Sequence, residues 1–269
     1  MDFNLKMPYR AKESHKGTFG KILNFAGSDY MTGAAYLSSV SALKTGCGYV
    51  ILCSYSKVIS AVSAMTPDIV FAPHSGLLNR LKEATVITFG CGIPNDAPSS
   101  ILFHKVFENA PDIPAVIDAG GISLLSGSEN IKLPSELILT PHPKEASVLL
   151  GVDLTEILND TEFYAKVISK KYNCVTVLKS HNTVVCSKNL EIYINETGCS
   201  ALAKAGSGDV LTGIIGGLLA QKCTPFDAAR IGVYLHGLCG DLAKNDLTEY
   251  GVLASDLVRY IPNAIKTLL

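Results

Sequence analysis

The sequence predicts an α/β protein with a doubly wound, mostly parallel sheet, helices on both faces and an antiparallel hairpin at one edge. Three observations carry this. Short apolar runs alternate with helical patterns from Lys21 to about Lys179, the arrangement of parallel strands joined by crossover helices. After Lys179 the period switches to two strictly alternating runs, and beyond Gly198 the chain reads as helix to its end. Hydrophobic residues make up 48% of the 269 positions and charged residues 17%, enough apolar surface to bury a large sheet.

Taken in order, the expected parallel strands are 22–26, 49–53, 69–72, 86–89, 115–118, 137–140 and 174–178. Between them, segments 33–45, 77–84, 101–110 and 161–171 place apolar residues at three- and four-residue spacing, as amphipathic helices do. Runs 183–186 and 191–194, separated by Ser187-Lys188-Asn189, read as the edge hairpin. Helices follow over 209–221, 226–244 and 253–268, punctuated by Pro225 and Gly251. No internal repeat, low-complexity tract or linker divides the chain, so one domain over residues 1–269 is expected.

Composition narrows the function. A formal net charge of −1 supplies no field for nucleic acid or an anionic membrane, so a phosphate-bearing ligand must be held by local geometry. The first residues, Met1-Asp2-Phe3-Asn4-Leu5-Lys6, open no apolar targeting segment, and no run approaches the roughly 18 apolar residues of a membrane span. The expected compartment is the cytoplasm. Eight cysteines, with no C-x-x-C pair and no histidine clustering, argue against zinc and read as small buried hydrophobes in a reducing compartment.

The strongest chemical signal is Ala205-Gly206-Ser207-Gly208-Asp209-Val210-Leu211-Thr212-Gly213, a glycine-rich turn leading into an apolar helix. Glycines allow close backbone approach, and the free N–H groups of a new helix attract phosphate. Asp209 in that turn is placed either to take a proton from an attacking hydroxyl as general base or simply to cap the helix. A Walker loop (G-x-x-x-x-G-K-[ST]) is absent, and no G-x-G-x-x-G follows the first strand. A late glycine-rich loop before a C-terminal helix, as in ribokinase-like phosphotransferases, remains.

Here the sequence resembles a known family. The Ala205–Gly213 segment with Ile214-Ile215 looks like the signature of the NAD(P)H-hydrate dehydratases, a branch of the ribokinase-like superfamily. Further segments match in the same order: His15-Lys16-Gly17-Thr18-Phe19-Gly20 with Ala26-Gly27-Ser28, Leu139-Thr140-Pro141-His142-Pro143-Lys144-Glu145, Asn195-Glu196-Thr197-Gly198, Tyr234-Leu235-His236-Gly237, and Leu253-Ala254-Ser255-Asp256-Leu257. The resemblance thus runs from His15 to the C-terminus.

It implies a carbon–oxygen lyase that restores NADH and NADPH from the S-form of their hydrates, NADHX and NADPHX, using ADP or ATP as phosphoryl donor. Phosphorylating the ring hydroxyl turns a poor leaving group into a good one, which accounts for a kinase-like loop in a lyase. Asp209 would activate that hydroxyl, while Gly206 and Gly208 at the helix N-terminus would hold the developing charge. Mg²⁺ would bridge nucleotide phosphates, with ligands the sequence does not identify. By the same resemblance Ala34, Gly92 and His142 line the hydrate site, and Lys179, Ser180, His181, Asn182 and Thr183 contact the nucleotide.

Read from spacing alone, Ala34 and Gly92 also suit ordinary strand-to-helix turns, and His142, held between two prolines, suits a stiff loop hydrogen-bonding a neighbouring strand end. His15, His236 and Asp256 match the family too and read as structural. Two departures stand out: Ser180 replaces the usual glycine, and Asp118-Ala119-Gly120-Gly121 replaces Asp-Ala-Asp-Ala, which removes a second carboxylate from a metal-binding turn. Competing readings are a ribokinase-like kinase of a hydroxymethylpyrimidine or thiazole alcohol and a non-catalytic nucleotide-binding protein. The expected partners are small molecules, a second copy in a homo-oligomer, and an epimerase carried on a separate protein.

Overall fold

The computed structural model describes residues 5–128 and 131–269; residues 1–4 and 129–130, included in the single-domain expectation, lie outside the described residues. In chain order the elements are β1 (Lys21–Phe25), α1 (Thr32–Thr45), β2 (Tyr49–Ser54), α2 (Ser56–Ser63), β3 (Val70–Pro73), α3 (Leu77–Leu81), β4 (Val86–Phe89), α4 (Ala97–Glu108), β5 (Ala115–Ile117) and α5 (Gly120–Ser126). There follow β6 (Leu137–Leu139), α6 (Pro143–Leu150), α7 (Leu154–Asn159), α8 (Thr161–Tyr172), β7 (Val175–Leu178), β8 (Val184–Cys186), β9 (Ile192–Ile194), α9 (Ser207–Ala220), α10 (Pro225–Gly251) and α11 (Ala254–Ile265). The strands form one nine-stranded sheet in the order β3-β2-β1-β4-β5-β6-β7-β8-β9. Strands β1 to β7 pair in parallel, whereas β8 and β9 add the antiparallel edge.

Every expected strand is present, with small shifts at the ends. Several helices depart from expectation. Helix α4 begins at Ala97 because Asp96 accepts a hydrogen bond from the Ser99 N–H at 2.9 Å and caps the first turn. Helix α6 follows His142 directly, since Pro143 occupies the first helical position, where its missing N–H is no loss. Helix α9 starts two residues before the expected Asp209, and α10 runs past Lys244 to Gly251 across a kink at Thr248, where φ is 64°. Short α2, α5 and α7 offer too few turns for a periodic signal.

Alternation along the strands sorts two cores. Ile22, Val50, Leu52, Val86, Val116 and Ile138 pack with α1, α2, α9, α10 and α11 on one face. Leu23, Phe25, Ile51, Ile87, Phe89 and Ile117 pack with α3 to α8 on the other. Both faces being covered explains strands that are apolar throughout.

Helices α1 and α9 approach closely through small residues. A Cβ at Gly213 would collide with the Ser38 carbonyl oxygen, and one at Gly217 would lie 2.8 Å from that of Ala42. Beneath α1, buried Asn24 on β1 donates to Ser38 Oγ and Ser39 Oγ at 2.9 Å each and accepts from Thr88 Oγ1 at 2.8 Å. A buried amide so satisfied ties α1 to the sheet. Because the strands are parallel, the turns after β1, β4, β5, β6 and β7 all meet at their carboxyl ends, beside the first turn of α9.

Gly213→Ala is therefore expected to destabilise the fold by about 1–3 kcal/mol through overpacking against backbone. Thermal and urea unfolding will check this, and a melting temperature equal to that of the parent would refute the close-packing argument.

Candidate active site

The anion-binding turn is built from the helix start itself. Gly206, the N-cap of α9, has φ 92° and ψ −17°, a left-handed conformation disfavoured for L side chains. A Cβ there would also lie 2.7 Å from Leu37 Cδ1 and 2.9 Å from the Ala254 Cβ. Ser207, Gly208 and Asp209 are the first three helical residues, so their N–H groups have no acceptor one turn earlier in the helix. Ser207 N–H is met by the Lys204 carbonyl at 3.2 Å. Gly208 and Asp209 present theirs at the positive end of the helix dipole. No side chain caps α9, which excludes the capping role for Asp209.

Under this turn lies a buried ion pair. Asp118, which ends β5 and is 2% exposed, accepts from Lys179 Nζ at 2.6 Å on one oxygen and from Thr212 Oγ1 at 2.7 Å on the other. Lys179 ends β7 and also lies 3.9 Å from Glu145 Oε2. Burial alone would raise the Asp118 pKa, but Lys179, Thr212 and Thr140 hold it below the usual carboxylate range. Glu145 is raised, chiefly by burial, with Lys179 opposing. Lys179 is raised, because Asp118 and Glu145 outweigh its own desolvation.

Asp209 stands next to this pair. Burial, then the Asp118 charge, push its pKa up to about 6, against a Cys91 thiol hydrogen bond and the Lys179 charge. It is thus largely ionised at neutral pH yet more basic than an ordinary carboxylate, which suits proton abstraction.

A cleft of about 760 Å³ opens beside the α9 turn, and Lys179, Ser180, His181, Thr183, Gly208 and His142 all line it. Asn182 belongs to the same loop but is not in the lining; its carbonyl accepts from Ser180 Oγ at 2.9 Å. Ser180 has no left-handed backbone, so the position does not require the glycine usual in the resemblance. Ala34 and Gly92 lie apart from the cleft and against each other: a Cβ on Gly92 would sit 2.8 Å from that of Ala34. Asp209 follows Gly208 on α9 but is not itself in the lining, and it is close enough to buried Cys91, the chain neighbour of Gly92, for each to act on the other's ionisation.

His142 falls with the nucleotide-loop residues rather than with Ala34 and Gly92. Its ring does not bond a neighbouring strand end. Nδ1 accepts from the Glu145 N–H at 3.1 Å, while Glu145 Oε2 accepts from the His142 N–H at 2.7 Å, a reciprocal cap on α6. His15 and Asp256 likewise cap their own short helical starts, accepting from Gly17 N–H at 3.1 Å and Leu253 N–H at 2.9 Å. Sequence reasoning missed Thr212 and the pairing of Asp118 with Lys179; a carboxylate at one strand end and an ammonium at another were the available signal. Among the described residues no group of three or more His, Cys, Asp or Glu side chains is placed to hold a metal.

A doubly wound sheet, an edge hairpin, a late helix N-terminus and a buried carboxylate beside it together define a ribokinase-like protein. The chain belongs to the NAD(P)H-hydrate dehydratase family, whose model matches residues 22–263. It is 37% identical to the ADP-dependent (S)-NAD(P)H-hydrate dehydratase of Neisseria meningitidis, over 95% of this chain and 89% of that one. It is 34% identical to the bifunctional NAD(P)H-hydrate repair enzyme Nnr of Moorella thermoacetica over 98% of this chain but 52% of the relative, so it spans about half the length of such bifunctional relatives. The structure superposes on the Bacillus subtilis ADP/ATP-dependent NAD(P)H-hydrate dehydratase, co-crystallised with ATP/Mg²⁺, with a TM-score of 0.89 and 32% identity, covering 98% of this chain and 95% of that one.

Two outcomes follow for stability. Thr212→Val strips one donor from buried Asp118 and is expected to cost about 1.5–3 kcal/mol in urea unfolding. Asp209 has a folded pKa near 6, above its value in an unfolded chain, so the folded state binds the extra proton. Its ionisation therefore costs no stability below about pH 4 and its full cost above about pH 6. Asp209→Asn should raise the melting temperature at pH 8 and lose that advantage towards pH 4; an equal gain at both would contradict the assignment.

Proposed function

We propose that this chain dehydrates the S-form of NADHX and NADPHX at the expense of ADP or ATP. The observation that carries the reading is the seat of Asp209, a carboxylate of raised pKa on the first turn of α9, directly after Gly208, which lines a nucleotide-sized cleft. The nucleotide lies along Lys179, Ser180, His181, Asn182 and Thr183, with its transferring phosphoryl group at the Gly208 and Asp209 N–H groups above the Gly206 cap. The nicotinamide hydrate lies towards Ala34 and Gly92, with His142 at the cleft wall. Asp209 takes the proton from the ring hydroxyl as its oxygen attacks phosphorus. The phosphate ester then loses phosphate from that ring carbon and a proton from the adjacent carbon to solvent, which regenerates the double bond of the reduced ring, and the donor leaves with one phosphate fewer.

Mg²⁺ fits the carboxylates present. Both Asp118 oxygens are taken by Lys179 and Thr212, which leaves Glu145, half-buried and with one oxygen accepting from the His142 N–H, as the carboxylate with an oxygen to spare. Glu145 would hold the ion, directly or through water, and the ion would neutralise phosphate charge. The chain acts as one catalytic domain, with an epimerase of the other hydrate isomer as a working partner. A homo-oligomeric state and a cytoplasmic site are part of the proposal; among the described residues no helix is long and apolar enough to cross a membrane.

Incubation of the protein with NADHX, Mg²⁺ and either ADP or ATP, followed by NADH absorbance, tests the reading. Nucleotide-dependent NADH is expected, with kcat lowered at least about 100-fold in Asp209→Asn. The acid limb of kcat/KM should fall near pH 6, where Asp209 takes up its proton. A stable phosphorylated product without NADH would instead identify a small-molecule kinase, and nucleotide binding without turnover a non-catalytic binding protein.

A further inference from the structure

His236, which matches the family but reads as structural from sequence, lines the cleft with Ser207 and Gly208. Its Nε2 lies 2.9 Å from the Ser207 carbonyl oxygen and 3.0 Å from Ser207 Oγ. A carbonyl can only accept, so a ring nitrogen bonded to it carries the hydrogen. That nitrogen then has no lone pair to offer, and Ser207 Oγ meets it as a second acceptor. The Ser207 hydroxyl hydrogen is consequently turned away from His236 and is left to donate elsewhere, at a residue that lines the cleft.

The rest of the site supports this orientation. Ser207 is the first residue of α9, so its hydroxyl stands beside the free N–H groups of Gly208 and Asp209. Burial keeps the imidazole neutral, moving its pKa down to about 4 in spite of the Ser207 carbonyl. The backbone that carries the ring is also fixed. Thr197 Oγ1 donates to the Tyr234 carbonyl at 2.9 Å, and a Cβ at Gly237 would collide with Thr197, so this stretch of α10 is fixed against the loop after β9.

We propose that the Ser207 hydroxyl donates a hydrogen bond to the transferring phosphoryl group, and that His236 is the positioning residue that aims it. The proposal rests on the reading of this cleft as the nucleotide site. Ser207 would add one directed donor to the two backbone N–H groups of the turn, at the point where charge develops on the phosphoryl oxygens.

The test compares the full-length protein with Ser207→Ala, His236→Leu, His236→Gln and the Ser207→Ala/His236→Leu double variant, measuring kcat, KM for nucleotide and for NADHX, and melting temperature. Loss of one hydrogen bond to a charged group predicts a kcat about 10- to 100-fold lower in Ser207→Ala and in His236→Leu, with KM for NADHX unchanged. His236→Gln, whose amide N–H can stand where Nε2–H does, should recover most of that loss. The double variant should be no worse than either single one, because both remove the same bond. Wild-type turnover in Ser207→Ala, losses that multiply in the double variant, or a folded His236→Gln as slow as His236→Leu would each overturn the proposal. If His236→Leu does not fold, Ser207→Ala and His236→Gln decide it. No nucleotide-dependent turnover in the parent protein would instead sink the functional reading beneath it.

Discussion

Most of the site hangs on one buried ion pair. Asp118 and Lys179 lie 2.6 Å apart at the carboxyl ends of two strands, and Thr212 reaches the same carboxylate from the first turns of α9. The pair therefore joins the sheet to the helix whose N-terminus forms the anion site. A buried charge left without its partner is costly, typically about 3–5 kcal/mol. That cost fixes the height of α9 above the strand ends, and with it the position of Gly208, whose Cβ would lie 3.6 Å from Lys179 Nζ and 3.8 Å from Asp118 Oδ2.

The same pair sets the electrostatics. Asp118 adds to burial in making Asp209 more basic, whereas Lys179 limits that effect. The proposed reaction uses both halves of this balance: a carboxylate that accepts a proton readily, next to a helix end and an ammonium that tolerate phosphate. Gly92 and Ala34 pack against each other: Ala34 and Met31 fill the space that a side chain on Gly92 would need, and its left-handed backbone suits glycine as well.

The strands and the edge hairpin were legible because period and apolar runs are local properties, and fully buried strands such as Val86–Phe89 carry a strong signal. The glycine-rich turn before α9 was legible for the same reason. The Asp118–Lys179 and Asp118–Thr212 contacts were not, since they span 61 and 94 positions in the sequence and exist only once the sheet is assembled. Prolines around His142 mislead in a physical way: together they suit a stiff loop, yet a proline is equally compatible with the first position of a helix, and His142 is the cap of α6. His236 shows the opposite failure. A histidine in an apolar helix gives no hint, from sequence, that its ring will meet the first residue of α9.

If the hydrate's oxygen leaves on phosphate, through the proposed transfer at Asp209, an isotope label follows that atom directly. NADHX carrying ¹⁸O in its ring hydroxyl would be converted in the presence of nucleotide and Mg²⁺, and the inorganic phosphate analysed by mass spectrometry. The account predicts one ¹⁸O in each phosphate released. Label found in bulk water, with unlabelled phosphate, would contradict it and mean that nucleotide hydrolysis drives a direct dehydration.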